Sequence, residues 1–259
     1  MPETTNTSPT GGDRGLRLFG LIGNPLSHSF SKNFFTDKFK KEGLTDCRYE
    51  LFPIESIELL SGLLRSNPDL KGINVTIPYK KKVLPYLFSS ENIPVEISAC
   101  NCIDIKNGNL IGYNTDCIGF EKSLLPLLKS NHTAALVLGN GGATAAVVFV
   151  LRKLGIKCSI VSRTIHNESL LTYNDLDKKL INGHTLIINT TPLGLYPRVD
   201  DCPAIPYGFI GSQHLLYDLV YNPVKSLFLK KGEERGAITK NGEEMLIIQA
   251  EESWKIWNS

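Results

Sequence analysis

The stretch AALVLGNGGATAAVVFVLRKLG, residues 134–155, constrains the fold more than any other. An apolar run of strand length turns through Gly139, Gly141 and Gly142 into a run of helix length that Gly155 closes. A strand that turns on glycines straight into a helix opens a βαβ unit. Glycine at that corner allows a tight turn. It also lets backbone N–H groups approach an anion at the helix N-terminus, where the helix dipole favours negative charge. The third glycine of G-x-G-x-x-G is absent, since Thr144 stands there, and a plain structural turn is the competing reading. The strand-to-helix context favours a dinucleotide site.

The next strand, KCSIVS, bears on which dinucleotide. An NAD site places a carboxylate about 20 residues after the glycines, on the ribose 2′-OH. Here Ser162, Arg163 and Thr164 offer a cation and two hydroxyls instead, a set suited to a 2′-phosphate. A solvated surface arginine is the alternative. Further strands follow in TLIIN and LLYDLVY, and PVKSLFLKKGEERG reads as a helix with Pro223 at its start.

The first half repeats the alternation. LRLFGLIGN, CRYELFPI and GINVTIP read as strands. SFSKNFFTDKFKKEG and SIELLSGLLRSN read as the helices between them, the first with Phe30, Phe34, Phe35 and Phe39 on its apolar face. That order implies a parallel sheet with right-handed crossovers. CIDIKNGNLIGY reads as a hairpin turning at Asn107-Gly108. The last segment, EEMLIIQAEESWKIW, is amphipathic through Leu246, Ala250, Trp254 and Trp257.

Polar residues gather where strands of this half end, and open α/β sheets bind ligands beyond those carboxyl ends. NVTIPYK brings Asn74, Thr76 and Lys80, ACNCI brings Asn101, and GYNTDC brings Asn114, Thr115 and Asp116. A lysine and an aspartate converging on one cleft can hold each other's charge and move a proton. SHSFSKN carries more hydroxyls than one helix cap needs.

Composition narrows the class. The formal net charge is +2, from 28 basic and 26 acidic residues that are not massed in one segment, so no nucleic-acid partner is expected. No apolar run approaches the roughly 18 residues of a membrane span. The six cysteines include no C-x-x-C pair and the histidines are scattered, so no metal site is expected and a reducing cytoplasm is the default. Residues 1–15 are polar and rich in Thr, Pro and Gly, and read as a flexible tail.

Taken together, GNPLSHSFSK, NVTIPYK, NCI, GYNTDCIGF, LGNGGA, SRT, YDLVYNP and NGEEMLIIQA resemble the shikimate/quinate dehydrogenase family, in the family's order from about residue 16 to the C-terminus. The resemblance implies a two-domain α/β fold. An N-terminal α/β substrate-binding domain with a mainly parallel sheet is expected over 16–116, completed by a C-terminal helix over 243–257. A short Rossmann-type dinucleotide-binding domain is expected over 117–238. It implies NADP as cofactor and reversible reduction of 3-dehydroshikimate to shikimate, a step of chorismate and aromatic amino acid biosynthesis. Quinate, or both acids, is the alternative substrate. Lys80 and Asp116 match the catalytic pair. Ser29 and Ser31 match serines on the substrate carboxylate, and Tyr221 a residue near it. Asn74, Thr76, Asn101 and Gln249 match residues on the ring hydroxyls. Gly139, Gly141, Gly142, Ala143, Ser162, Arg163, Thr164 and Thr190 match cofactor positions, and Gly242 and Met245 match positions lining the nicotinamide. The expected partners are small molecules, with neither nucleic acid nor membrane, and the working unit is a monomer or homodimer. Departures stand at Asn140, Ser162, Cys102, Tyr113 and Asn167, where alanine, asparagine, threonine, a polar residue and a basic residue are usual. They leave Arg163 alone for the 2′-phosphate and predict a weaker preference for NADP.

Overall fold

The structure is a computed structural model that describes residues 15–26, 29–163 and 170–259. The expected tail over 1–15, apart from Gly15, lies outside the described residues, as do Thr164 and Asn167.

The first half forms one six-stranded sheet. Its elements are β1 (Arg17–Gly23), α1 (Phe30–Glu42), β2 (Cys47–Pro53), α2 (Leu60–Ser66), β3 (Leu70–Val75), β4 (Ser89–Asn92), β5 (Cys102–Lys106) and β6 (Asn109–Tyr113). Strand order is β2-β1-β3-β5-β6-β4. β1 pairs in parallel with β2 and β3, as the alternation predicts, while β5 runs antiparallel to both β3 and β6. The sheet is thus mixed, because β5 and β6 are a hairpin and not a crossover unit. Asn107 (φ 52°) and Gly108 (φ 81°) supply the two left-handed residues that a tight hairpin turn needs.

After α3 (Asp116–Leu124) the second half begins. It comprises β7 (Ala134–Leu138), α4 (Gly142–Lys153), β8 (Lys157–Ser162), β9 (Leu170–Thr172), α5 (Lys178–Gly183), β10 (Leu186–Asn189), β11 (Leu215–Asp218), α6 (Leu227–Glu233) and β12 (Ile238–Lys240). All pairings in its sheet are parallel, in the order β12-β11-β10-β7-β8-β9. Six strands fit into so short a segment because the edge strands β9 and β12 have three residues each. α6 starts later than its sequence suggests. Ser226, not Pro223, opens it, accepting a hydrogen bond from the Leu229 N–H, a bond that no proline side chain could make.

α7 (Glu243–Trp257) returns to the first sheet. Its Trp257 stacks on Phe19 at 4.9 Å and donates its indole N–H to the Ile103 carbonyl at 2.9 Å. Gly72 lets the indole in: a β-carbon there would lie 2.2 Å from Trp257 Nε1. Phe35, Phe39, Tyr49 and Ala250 complete this aromatic core. α3 packs against both α7 and α4, and Phe120 and Leu124 reach the core of the second sheet. The Ser123 hydroxyl shares a hydrogen bond with Tyr217 of β11 at 2.7 Å. α3 therefore ties the two sheets together.

Candidate active site

The carboxyl ends of β1, β3 and β11 and the start of α3 face one cavity of about 230 Å³. Ser29, Ser31, Asn74, Thr76, Lys80, Asn101, Asp116, Tyr221 and Gln249 all line it.

Each side chain arrives from a different element. Asn74 ends β3, and the chain then turns through Thr76, whose N–H bonds to Ile22 O at 3.0 Å. The expected strand included Thr76; the observed one stops at Val75. Lys80 follows in the turn, its carbonyl held by the Cys100 N–H at 2.7 Å. Asp116 is the first residue of α3, where the helix dipole favours a carboxylate. Lys80 Nζ reaches Asp116 Oδ2 at 2.7 Å, with side-chain exposures of 20% and 11%. The pair is thus held from bulk water and still opens on the cavity.

Asn101 is the hub behind the pair. Its amide N–H₂ group donates to Asp116 Oδ1 and Thr115 Oγ1, each at 3.0 Å, and to Gln249 Oε1 at 3.3 Å. Its carbonyl accepts the Thr115 N–H at 2.6 Å. Both Asp116 oxygens therefore have a donor, and Gln249 accepts through its oxygen and keeps its amide N–H₂ for the cavity. Asn74 is equally fixed. It donates to Asn101 O and Ser253 Oγ and accepts from the Tyr49 hydroxyl at 2.8 Å, which leaves one acceptor lone pair for a ligand.

The serines divide two tasks. Ser29 is the N-cap of α1 and accepts the Lys32 N–H at 3.3 Å. Ser31, in the first turn, lines the cavity beside the buried Tyr49 phenol. Burial pushes that phenol well above its ordinary range, and the Ser31 hydroxyl partly opposes the shift. Tyr221, whose hydroxyl burial also raises, packs edge-on against Phe30 at 5.8 Å and so brings the loop after β11 to the mouth of α1. That loop hangs on Asp218, which accepts from Asn189 Nδ2 at 2.9 Å, the Val220 N–H at 3.0 Å and the Ser226 hydroxyl. Burial raises the Asp218 carboxyl to about 6 despite these donors.

A second cavity, of about 470 Å³, lies on the second sheet and is lined by Gly139, Gly141, Ser162, Arg163 and Thr190 among others. Gly139 has φ +111°, a conformation other residues rarely adopt. A β-carbon there would also meet Thr190 Oγ1 at 2.8 Å, so the corner admits only glycine. Thr144, in place of the missing third glycine, takes the Gly141 N–H at 3.0 Å and bonds Thr190 Oγ1 at 2.8 Å. The hydroxyl thus braces the turn. Nothing lies within 4 Å of a β-carbon built at Gly141 or Gly142, and the first N–H groups of α4 have no helical acceptors. This open, N–H-lined corner fits a pyrophosphate, and Ser162 with Arg163 at the end of β8 fits a phosphorylated ribose.

Not every expected residue reaches a cavity. Ala143 sits half-buried in the first turn of α4. Gly242 precedes α7 with its N–H on Val220 O at 3.1 Å, and a β-carbon there would lie 2.3 Å from Leu219 O. Met245 is buried against α3 and lines neither cavity. Tyr49 and Ser253 belong to the polar network and carry no sequence signal of it, whereas Thr115, already marked by its place at a strand end, joins it through Asn101. Among the described residues, no group of three or more His, Cys, Asp or Glu side chains is gathered as a metal site, and no helix is long and apolar enough to cross a membrane.

A mixed substrate-binding sheet beside a parallel dinucleotide-binding sheet, with a lysine–aspartate pair facing the cavity of the first, defines a two-domain nicotinamide-dependent dehydrogenase. Residues 21–103 match the profile of the shikimate dehydrogenase substrate binding domain. The chain is 38% identical to "Shikimate dehydrogenase (NADP(+))" of Clostridium beijerinckii, over 93% of this chain and 92% of that one. It is 36% identical to the protein of that name from Methanococcus aeolicus, over 93% and 91%. The crystal structure of the Thermus thermophilus shikimate 5-dehydrogenase in complex with NADP(H) and shikimate superposes with a TM-score of 0.82 at 28% identity, covering 93% of each chain. The chain belongs to the shikimate dehydrogenase family.

Proposed function

We propose that this chain catalyses the reversible NADP-dependent reduction of 3-dehydroshikimate to shikimate. The observation that carries the reading is the Lys80–Asp116 pair at 2.7 Å on a cavity it shares with Asn74, Asn101 and Gln249. Both of the curated relatives named above bear the shikimate name, which favours that acid over quinate. The thermophilic neighbour was crystallised with the same substrate and cofactor.

The division of labour follows the two sheets. Residues 16–116 with 243–257 hold the acid, and 117–238 hold the cofactor. When bound, the nicotinamide supplies or removes a hydride at the ring carbon that carries the carbonyl. Lys80 gives a proton to the oxygen as negative charge builds there, and in the reverse direction takes it back. Asp116 keeps the ammonium oriented, and Asn101 holds Asp116. Ser31 and Tyr221 face the carboxylate, joined by Ser29 at the N-terminus of α1, where the dipole favours an anion. Gln249, Thr76, Asn101 and the remaining lone pair of Asn74 meet the ring hydroxyls. Gly139, Gly141 and Gly142 cradle the pyrophosphate with the N–H groups that open α4, and Arg163 takes the 2′-phosphate. The partners are these small molecules, and the setting is the cytoplasm with the chain as monomer or homodimer.

Steady-state rates with shikimate and quinate, each with NADP and NAD, test the reading. Shikimate with NADP is expected to give the highest kcat/KM. A higher value for quinate, or no turnover of either acid, overturns it.

A further inference from the structure

We infer that Arg198 is a second cation for the 2′-phosphate of NADP, acting opposite Arg163. The inference rests on the NADP reading above. In the linear chain Arg163 stands alone, but the fold brings Arg198 to the same cavity, beside Ser162, Tyr173 and Thr191.

Charge comes first. Two guanidinium groups line this cavity, and among the described residues no carboxylate does. The acid paired with Arg198 is Asp201, at 3.8 Å, with side-chain exposures of 71% and 45%. A pair that long and that exposed holds a guanidinium only loosely. Arg198 can therefore swing to a better anion at little cost.

Placement comes second. Arg163 follows β8 and Arg198 lies on the segment after β10, and these strands flank β7. Two strand spacings separate their ends by about 10 Å. The segment that follows β10 carries Arg198 back to the cavity that Arg163 lines, so the two side chains can meet one phosphate there. The Arg198 segment is anchored: Leu195 N–H bonds Pro192 O at 3.2 Å, Tyr196 N–H bonds Asn222 O at 3.0 Å, and Asp201 N–H bonds Arg198 O at 3.3 Å. An anchored backbone with a loosely held guanidinium suits ligand capture.

Chemistry comes third. A phosphate monoester carries about 1.5 to 2 negative charges near neutral pH. One guanidinium leaves part of that charge unmatched, and two opposed forks satisfy it. The pyrophosphate, common to NAD and NADP, has its own place at the start of α4. Arg198 therefore reads the group in which the two cofactors differ, and it offsets the absence of a basic residue at Asn167.

Isothermal titration of the cofactor-free protein tests this with two probes that differ only in that group, adenosine 2′,5′-bisphosphate and adenosine 5′-monophosphate. Arg198→Ala is expected to weaken the bisphosphate at least about tenfold and the monophosphate less than about twofold. Arg198→Lys should fall between wild type and alanine, since it keeps the charge and loses the fork. Arg163→Ala with Arg198→Ala should abolish the preference. Equal loss of both probes in Arg198→Ala, or loss of neither, overturns the inference while the NADP reading stands. A wild-type protein that binds both probes equally overturns the NADP reading, and this inference with it.

Discussion

Replacing Lys80 with alanine tests the mechanism where it is most exposed. Hydride addition to a ketone places negative charge on oxygen, and among the described residues Lys80 is the cation lining the substrate cavity, bonded to Asp116 at 2.7 Å. General acid–base groups contribute about 10²–10⁴ in rate. The loss in kcat is therefore at least about 100-fold, or about 2.7 kcal/mol of transition-state stabilisation. The fold should survive. Asp116 keeps the Asn101 donor at 3.0 Å, and the pair lines a cavity that water can enter. The stability cost then lies near the ~1 kcal/mol of a partly exposed pair, not the ~3–5 kcal/mol of a buried one. KM for shikimate should change less than about threefold, because Ser31, Tyr221 and Gln249 still hold the acid. The assay is NADPH formation under steady state, with circular dichroism as the check on folding. If kcat stays near wild type while KM rises at least tenfold, Lys80 is a binding lysine and the proton-transfer argument is wrong.

Four further perturbations follow from the same geometry. Ser29→Ala removes the cap of α1 and should cost about 1 kcal/mol, seen as a fall of roughly 2–4 °C in Tm. Ser31→Ala should raise the shikimate KM with Tm nearly unchanged, and the opposite pattern would return Ser31 to a structural role. Gly72→Ala sets a methyl 2.2 Å from Trp257 Nε1 and should cost about 1–3 kcal/mol, measured by urea unfolding; a loss under ~0.5 kcal/mol would mean that α7 shifts freely. Asp218 has its carboxyl raised from 3.8 to about 6 by burial, so the native state holds that proton to higher pH than the unfolded chain does. Its stabilising contribution is complete below pH ~4 and is lost as pH rises through about 6, a change of about 3 kcal/mol. Asp218→Asn lacks that loss, so its Tm relative to wild type should climb between pH 4 and 7. A flat difference would show that Asp218 does not titrate there.

The alternation of apolar runs and glycine stops was enough to place β1, α1, β2, β3, β7, α4, β8 and β10, because burial of a strand or a helix face imposes its period on the chain locally. The same logic put Asn74, Lys80 and Asp116 at element ends, where such sheets bind ligands. Local period says nothing of partners far along the chain. Tyr49 reads as a strand residue and Ser253 as a helix residue, yet both hold Asn74, and Ser253 is 179 positions away from it. Thr115 reads as a loop hydroxyl and is one of the groups that fix Asn101. The three-residue strands β9 and β12 are too short to show a period, and their pairing depends on neighbours already in place. The serines make the contrast clearest. SHSFSKN announces surplus hydroxyls, but only the fold makes Ser29 the cap of α1 and turns both Ser29 and Ser31 to the cavity, because a hydroxyl's role is set by what surrounds it in space.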